Sequence, residues 1–189
     1  MAPKPTTCKE AILAFSEKTG QKAEEADIVR LHFQCPCIER MDQSLSTLTN
    51  CRHLSLSSNN IARIAGLTSL PNLEILSLGR NLLKRIEGLE QVAGTLKELW
   101  ISYNSIEKFS GLMSCKKLTV LYASNNAVSS WAEIERLTDL PDLQELQLTG
   151  CPIELQHTAD GTWRKEVVKR LPKLKKLDGL PITDEDRGQ

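Results

Sequence analysis

Six cysteines, at 8, 35, 37, 51, 115 and 151, and three histidines, at 32, 53 and 157, are the side chains best suited to hold a metal or act as nucleophiles. A structural zinc site needs four such ligands, usually in two close pairs. Cys35-Pro36-Cys37 supplies one pair, and no second pair or nearby spaced His completes it. No His-Glu-x-x-His helix, nucleophile elbow, phosphate loop or Gly-x-Gly-x-x-Gly turn occurs. Gly79 sits in Leu78-Gly79-Arg80-Asn81, which repeats elsewhere as structure, and the serines of Ser55-Leu56-Ser57-Ser58 have no base beside them. The reading is a chain with no catalytic residue, no metal and no cofactor.

The side chains that do recur at fixed spacing are Leu and Asn. Leu96, Leu99, Ile101, Asn104 and Ile106 form one unit. Leu73, Leu76, Leu78, Asn81 and Leu83 form another, as do Cys51, Leu54, Leu56, Asn59 and Ile61. Downstream come Leu118, Leu121, Ala123, Asn126 and Val128, then Leu143, Leu146, Leu148, Cys151 and Ile153. These fill the leucine-rich repeat template, with the second leucines at 54, 76, 99, 121 and 146, in steps of 22, 23, 22 and 25. Cys51, Cys115 and Cys151 occupy slots of this pattern and read as small buried hydrophobes.

Within each unit the paired apolar residues alternate with polar ones, the period of a short strand with one buried face. The Asn amide carries donors and an acceptor, so it can satisfy backbone groups at the following turn. Stacked coils would align Asn59, Asn81, Asn104 and Asn126 in a structural ladder. Beyond the turn, Ile64, Leu67 and Leu70, then Ile86, Leu89 and Val92, are spaced for a helical or 3₁₀ return. The expected fold is an α/β solenoid: a parallel sheet of about six to seven strands on the concave face, short helical segments opposite, and helical caps at both ends.

We read residues 1–189 as one domain: an N-terminal helical cap over 1–27, repeats over 28–153, and a C-terminal helical cap with an acidic tail over 154–189. Thr7-x-x-Glu10 is a capping box, followed by Ala11, Ile12, Phe15 and a stop at Gly20. Leu31-x-Phe33 is the expected first strand, with Pro36 in the Asn slot and Ile38, Met41, Leu45 and Leu48 continuing the coil. Trp131 falls in the slot of Ile64, Ile86 and Phe109, so it is expected to fill core. Trp163, Val167 and Leu171 make one stripe of a closing helix, and Leu174 and Leu177 restart the strand spacing. The tail Asp184-Glu185-Asp186-Arg187 is expected to be mobile.

Lys plus Arg and Asp plus Glu number 24 each, so no global field draws in nucleic acid or an acidic membrane. No apolar run is long enough for a span, and Met1-Ala-Pro-Lys-Pro lacks a signal core, which leads us to expect a soluble cytoplasmic protein. Function then falls to the outward residues of the strands: His53, Ser55, Ile75, Ser77, Glu98, Trp100, Val120, Tyr122, Glu145 and Gln147. Trp and Tyr on an open face beside Ile75 and Val120 are the kind of anchors that bind proteins. A second candidate is the stretch 163–177, with seven basic residues and one acid. There Arg164, Lys165, Lys169 and Lys173 are expected to lie exposed toward an acidic partner.

Several stretches carry a more specific likeness. They are Thr7-Cys-Lys-Glu-Ala-Ile, Glu17-Lys-Thr-Gly-Gln, Ile38-Glu-Arg-Met-Asp, Leu76-Ser-Leu-Gly-Arg-Asn, Thr95-Leu-Lys-Glu-Leu-Trp-Ile-Ser-Tyr-Asn and Val168-Lys-Arg-Leu-Pro-Lys-Leu-Lys-Lys-Leu-Asp-Gly. Spread over nearly the whole chain, they resemble the leucine-rich repeat light chains of axonemal outer-arm dynein. The resemblance implies a non-catalytic light chain of cilia and flagella. It would bind the motor region of a dynein heavy chain near the microtubule-binding end of the stalk, influence beating, and possess a contact with tubulin. It also implies a place in the cytoskeleton of the axoneme. Gly150-Cys151-Pro152 departs from the family's Gly-Asn-Pro, and the tail is short. A phosphatase-regulatory subunit or a spliceosomal repeat protein would share the repeat, and neither accounts for the matched ends.

Overall fold

A three-residue strand per coil is what the repeat leaves between one turn and the next. The computed structural model, which describes residues 3–188, stacks these strands in chain order. They are β1 Ile28–Arg30, β2 His53–Ser55, β3 Ile75–Ser77, β4 Glu98–Trp100, β5 Val120–Tyr122, β6 Glu145–Gln147 and β7 Lys176–Leu177. All seven pair in parallel. An eighth, β8 Leu180–Pro181, turns back antiparallel on β7, an element absent from the sequence expectation. The register places Val29, Leu54, Leu76, Leu99, Leu121, Leu146 and Leu177 side by side, and all are fully buried.

The return segments close the core from the other side. Ile64, Leu67, Leu70, Ile86, Leu89 and Val92 are buried. Short helical pieces lie at Gln43–Thr47, Ser110–Leu112, Trp131–Arg136 (α2) and Leu137–Asp139. Coils touch so closely here that a Cβ on Gly111 would sit 1.7 Å from the Ile86 carbonyl oxygen, and one on Gly88 2.5 Å from that of Ile64. In the next coil Glu133 holds this place; it is 6% exposed and its Oε2 accepts from Phe109 N at 2.8 Å. Burial pushes the Cys51, Cys115 and Cys151 thiols up, Cys51 to about 11, in keeping with inert core fillers.

At the N-terminal end, α1 (Cys8–Thr19) covers the first coil. The Thr7 side chain accepts from Glu10 N, the Glu10 carboxylate accepts from Thr7 N, and Gly20 ends the helix at φ 70. The first coil itself differs from expectation. Its strand is Ile28–Arg30, with Val29 opposite Leu54, so Leu31 plays the part of Leu56. Phe33 is 78% exposed, at φ 54, in the left-handed turn slot shared with Ser58, Arg80, Tyr103 and Asn125. Pro36 therefore does not stand in the Asn slot. Ile38 N donates to Asn59 Oδ1 as Ile61 N does to Asn81 Oδ1, which fixes Ile38 and Ile61 as equivalents. Ile38 follows Leu31 by seven positions where Ile61 follows Leu56 by five. A longer turn thus displaces the strand from where the mean period puts it.

The four Asn side chains stack in a row along the turns. The amide nitrogens of Asn59, Asn81, Asn104 and Asn126 each donate to a carbonyl of their own coil and to one of the coil before. Their Oδ1 atoms accept from the amides of Ile38, Ile61, Leu83 and Ile106, and all these distances are 2.9–3.1 Å. Cys151 continues the row, its Sγ donating to Ala123 O at 3.3 Å. Asn104→Ala would strand the Leu83 N–H and one bond to each of the Leu78 and Ile101 carbonyls. A loss of ~1–3 kcal/mol per unsatisfied group is expected, read as a lower denaturant midpoint; an unchanged midpoint would refute a structural role for the ladder.

Candidate protein-interaction face

Because the buried stripe uses the middle residue of each strand, the residues on either side must face the concave surface. Trp100 and Tyr122 are register neighbours on β4 and β5, with ring centroids 5.8 Å apart. His53 reaches Trp100 from β2, edge to face at 5.3 Å. It does so across Ser77 of β3, which is small enough to lie beneath both rings at 2% exposure. The result is one aromatic ridge crossing four strands, with half-buried Ile75 and Val120 beside it. Ser55, Glu98, Glu145 and Gln147 are half-buried on the same face.

The polar atoms of the ridge are satisfied locally. Trp100 Nε1 donates to Glu98 Oε2 at 3.0 Å, and the Tyr122 hydroxyl donates to Glu145 Oε1 at 2.8 Å, where Lys176 Nζ also binds. Burial and then Arg30 lower the His53 pKa from 6.5, so the imidazole is neutral at pH 7. His53 Nε2 lies 3.1 Å from Ser77 Oγ, a spacing shared with nucleophile–base pairs. Ser77 is sealed beneath the rings, however, and no carboxylate bonds the other imidazole nitrogen among the described residues. Along the rim, Arg52 and Lys97 both pair with Glu74, at 2.9 and 3.1 Å. Ile28 (42% exposed) and exposed Arg30 extend the face onto β1. Sequence reading missed both by placing the register of the first strand two residues late, with Leu31 where Val29 stands; the alternation Asp27-Ile28-Val29-Arg30-Leu31 was the available signal.

The basic cap is a separate surface. α3 (Pro152–Ala159) and α4 (Trp163–Arg170) close the last coil. Trp163 Nε1 donates to Asp178 Oδ2 at 2.7 Å, and Asp178 Oδ1 accepts from Leu148 N and Thr149 N, which ties α4 to β6. Trp131 is only half-buried: it packs 5.7 Å from Trp163 and 4.8 Å from His157, and the Arg170 guanidinium covers it at 4.1 Å. It serves as the seat of the cap more than as filler of the coil. Lys165, Lys169 and Lys173 are exposed, and none has an ion pair among the described residues.

Arg164 departs from the expected exposure. Its fork meets Asp186 at 2.9 and 2.8 Å and also donates to the carbonyls of Leu177 and Pro181. Arg187 donates to the Pro172 and Leu174 carbonyls at 2.7 and 3.1 Å. The tail is therefore packed against the cap, not free. A guanidinium offers five donors in a planar fork, and one carboxylate plus carbonyls of the closing turn match it. The Arg164 hydrogen bonds, ahead of those from Thr183, hold the Asp186 carboxyl far below the usual range.

Tyr122 gives the ridge a pH signature. Burial first, then the bond to Glu145, pushes its phenol from 10.0 to about 12. A pKa raised on folding stabilises below the unfolded value, and that contribution is lost as pH rises through the folded one. Between pH 10 and about 12 the wild type should lose stability more steeply than Tyr122→Phe, measured as denaturant midpoint against pH. Parallel curves would show that the phenol is not held in this way.

No helix of the described residues is long and apolar enough to cross a membrane. Residues 49–91 match the family model described as Leucine Rich repeats (2 copies). Among solved structures, an internalin of Listeria monocytogenes aligns with a TM-score of 0.60 at 22% identity, over 75% of this chain and 38% of the internalin, a likeness of fold alone. Dynein axonemal light chain 1 of Danio rerio is 56% identical over 183 residues, covering 97% of this chain and 95% of its own length. The protein of the same name in Chlamydomonas reinhardtii is 51% identical over 189 residues, covering 98% of this chain and 96% of its own. Identity of this order over nearly the full length of both chains, on a leucine-rich repeat solenoid with matching ends, places the chain in the dynein axonemal light chain 1 family.

Proposed function

We propose that the chain is a non-catalytic subunit of outer-arm dynein in the ciliary or flagellar axoneme and binds the motor region of a heavy chain through its concave face. The ridge His53–Trp100–Tyr122 is the observation that carries this reading. The Trp100 ring nitrogen and the Tyr122 hydroxyl are already bonded within the face, so covering these two rings strands neither donor. The rings sit on a sheet locked by the Leu stripe, so little ordering cost opposes binding. The relatives' names supply the class of partner. Docking near the microtubule-binding end of the stalk would let a rigid added body influence the beat. Exposed Lys165, Lys169 and Lys173 favour a second contact with the acidic microtubule surface.

Trp100→Ala should leave the fold intact, because the ring lies outside the Leu core, and should weaken heavy-chain binding by about 2 kcal/mol or more. Titration against a purified motor region checks it; unchanged affinity would move the interface off the ridge. Capture from axonemes that returns a phosphatase or a spliceosomal protein in place of a heavy chain would overturn the partner. For the second contact, Lys165, Lys169 and Lys173 changed together to Glu should abolish microtubule co-sedimentation. Salt should mimic the variant, since exposed charges are screened beyond ~8–10 Å. Co-sedimentation indifferent to both would leave these lysines as a solvated face.

A further inference from the structure

Thr183 is exposed and is followed by Asp184, Glu185 and Asp186; no other Ser or Thr of the sequence precedes three consecutive acids. The same residue anchors the folded tail. Thr183 Oγ1 donates to Asp186 Oδ2 at 3.1 Å and accepts from Asp186 N at 3.3 Å, and Thr183 N donates to that carboxylate at 2.9 Å. The Asp186 carboxylate in turn holds the Arg164 fork of α4. One hydroxyl, one carboxylate and one guanidinium thus make a latch between the tail and the cap. Arg187 is drawn in behind it, its guanidinium held by the Pro172 and Leu174 carbonyls.

We propose that Thr183 is a phosphorylation site for a serine/threonine kinase that reads acidic residues after its target, and that the phosphate opens this latch. Three carboxylates following the hydroxyl suit a substrate groove lined by Lys and Arg. In the transfer, Oγ1 forms a bond to the γ-phosphorus of magnesium-bound ATP. The bond to the β–γ bridging oxygen breaks, ADP leaves with that electron pair, and the hydroxyl proton passes to the kinase base. The modified Oγ1 has no hydrogen left to donate. A group of about −1.5 to −2 charge then stands within hydrogen-bond range of Asp186. Two anions compete for the one Arg164 fork, and Asp186, deprived of its hydroxyl donor, is expelled. The segment from Asp184 to Gly188 leaves the cap, and Arg187 loses its seat.

The test treats the folded chain with an acid-directed kinase and MgATP. Peptide mass spectrometry should find a phosphate on Thr183 that Thr183→Ala does not acquire. Limited trypsin digestion then reads the latch. Trypsin must take the Arg187 side chain into its own pocket, so cleavage after Arg187 should be roughly tenfold faster in the phosphorylated chain, following the population of the open tail. Arg164→Ala opens the latch without phosphate and should both free the Arg187 guanidinium from the Pro172 and Leu174 carbonyls and speed phosphorylation. If that variant fails to fold, the wild type with and without phosphate still decides. Phosphate incorporated only elsewhere would overturn the site. Cleavage after Arg187 at the same rate in both forms would overturn the latch.

Discussion

A parallel coil can stack on its neighbour only if the backbone groups at its turns find partners, and the Asn ladder supplies them. Each Asn amide closes its own turn and reaches one coil back, so its bonds span two units at once. That makes the ladder a coupling term between neighbours, on which the stability of a solenoid depends. The Leu stripe provides the burial but does not specify how far each coil advances; the ladder does. Where Cys151 replaces Asn the thiol keeps one bond to the preceding coil, and beyond it Asp178 accepts from the amides of Leu148 and Thr149. The Asn row ends at Cys151, and at the last strand the Asp178 carboxylate stands in for the sheet carbonyl that a further coil would present to Leu148 N.

The interaction face follows from that stacking. Strand registry sets the spacing of Trp100 and Tyr122, and the small Ser77 lets His53 cross a strand to join them. Each ring is backed by a sheet that cannot shift without breaking the ladder. Glu98 and Glu145 accept from the donors of the two large rings and so fix their positions on the face. The face is apolar at its centre and carries ion pairs at its rim, where Arg52, Glu74 and Lys97 stay solvated and contribute little to stability. That distribution supports the proposed role of the face in binding a protein.

The two ends are closed by different means. At the N-terminus a single capped helix lays Cys8 and Ala11 on the first coil. At the C-terminus the seal is aromatic and ionic: Trp163 is pinned by Asp178, Trp131 donates its Nε1 hydrogen to His157 Nε2 and lies under Arg170, and Arg164 is clamped by Asp186. The seven basic residues of this region consequently divide into two groups. Arg164, Arg170 and Lys176 are structural, each with a carboxylate partner, while the exposed lysines carry the net charge.

The sequence by itself determined whatever repeats. The Leu stripe, the Asn ladder, the return spacing, the Thr7–Glu10 box and the outward parity of Trp100 and Tyr122 all follow from periods of two, of three to four, and of twenty-two or so, which the chain displays directly. The tertiary structure alone decided whatever breaks the period or joins residues far apart in sequence. The first strand moved to Ile28–Arg30 because a longer turn after Leu31 absorbs two residues without disturbing Ile38. Arg164 meets Asp186 twenty-two positions away, and no spacing rule announces such a pair. Trp131 packs against the edge of the core and not within it, because α2 carries it to where Trp163, His157 and Arg170 converge. Local periodicity is set by the backbone and its nearest neighbours, whereas the partners of a cap are chosen by how the last coil closes in space.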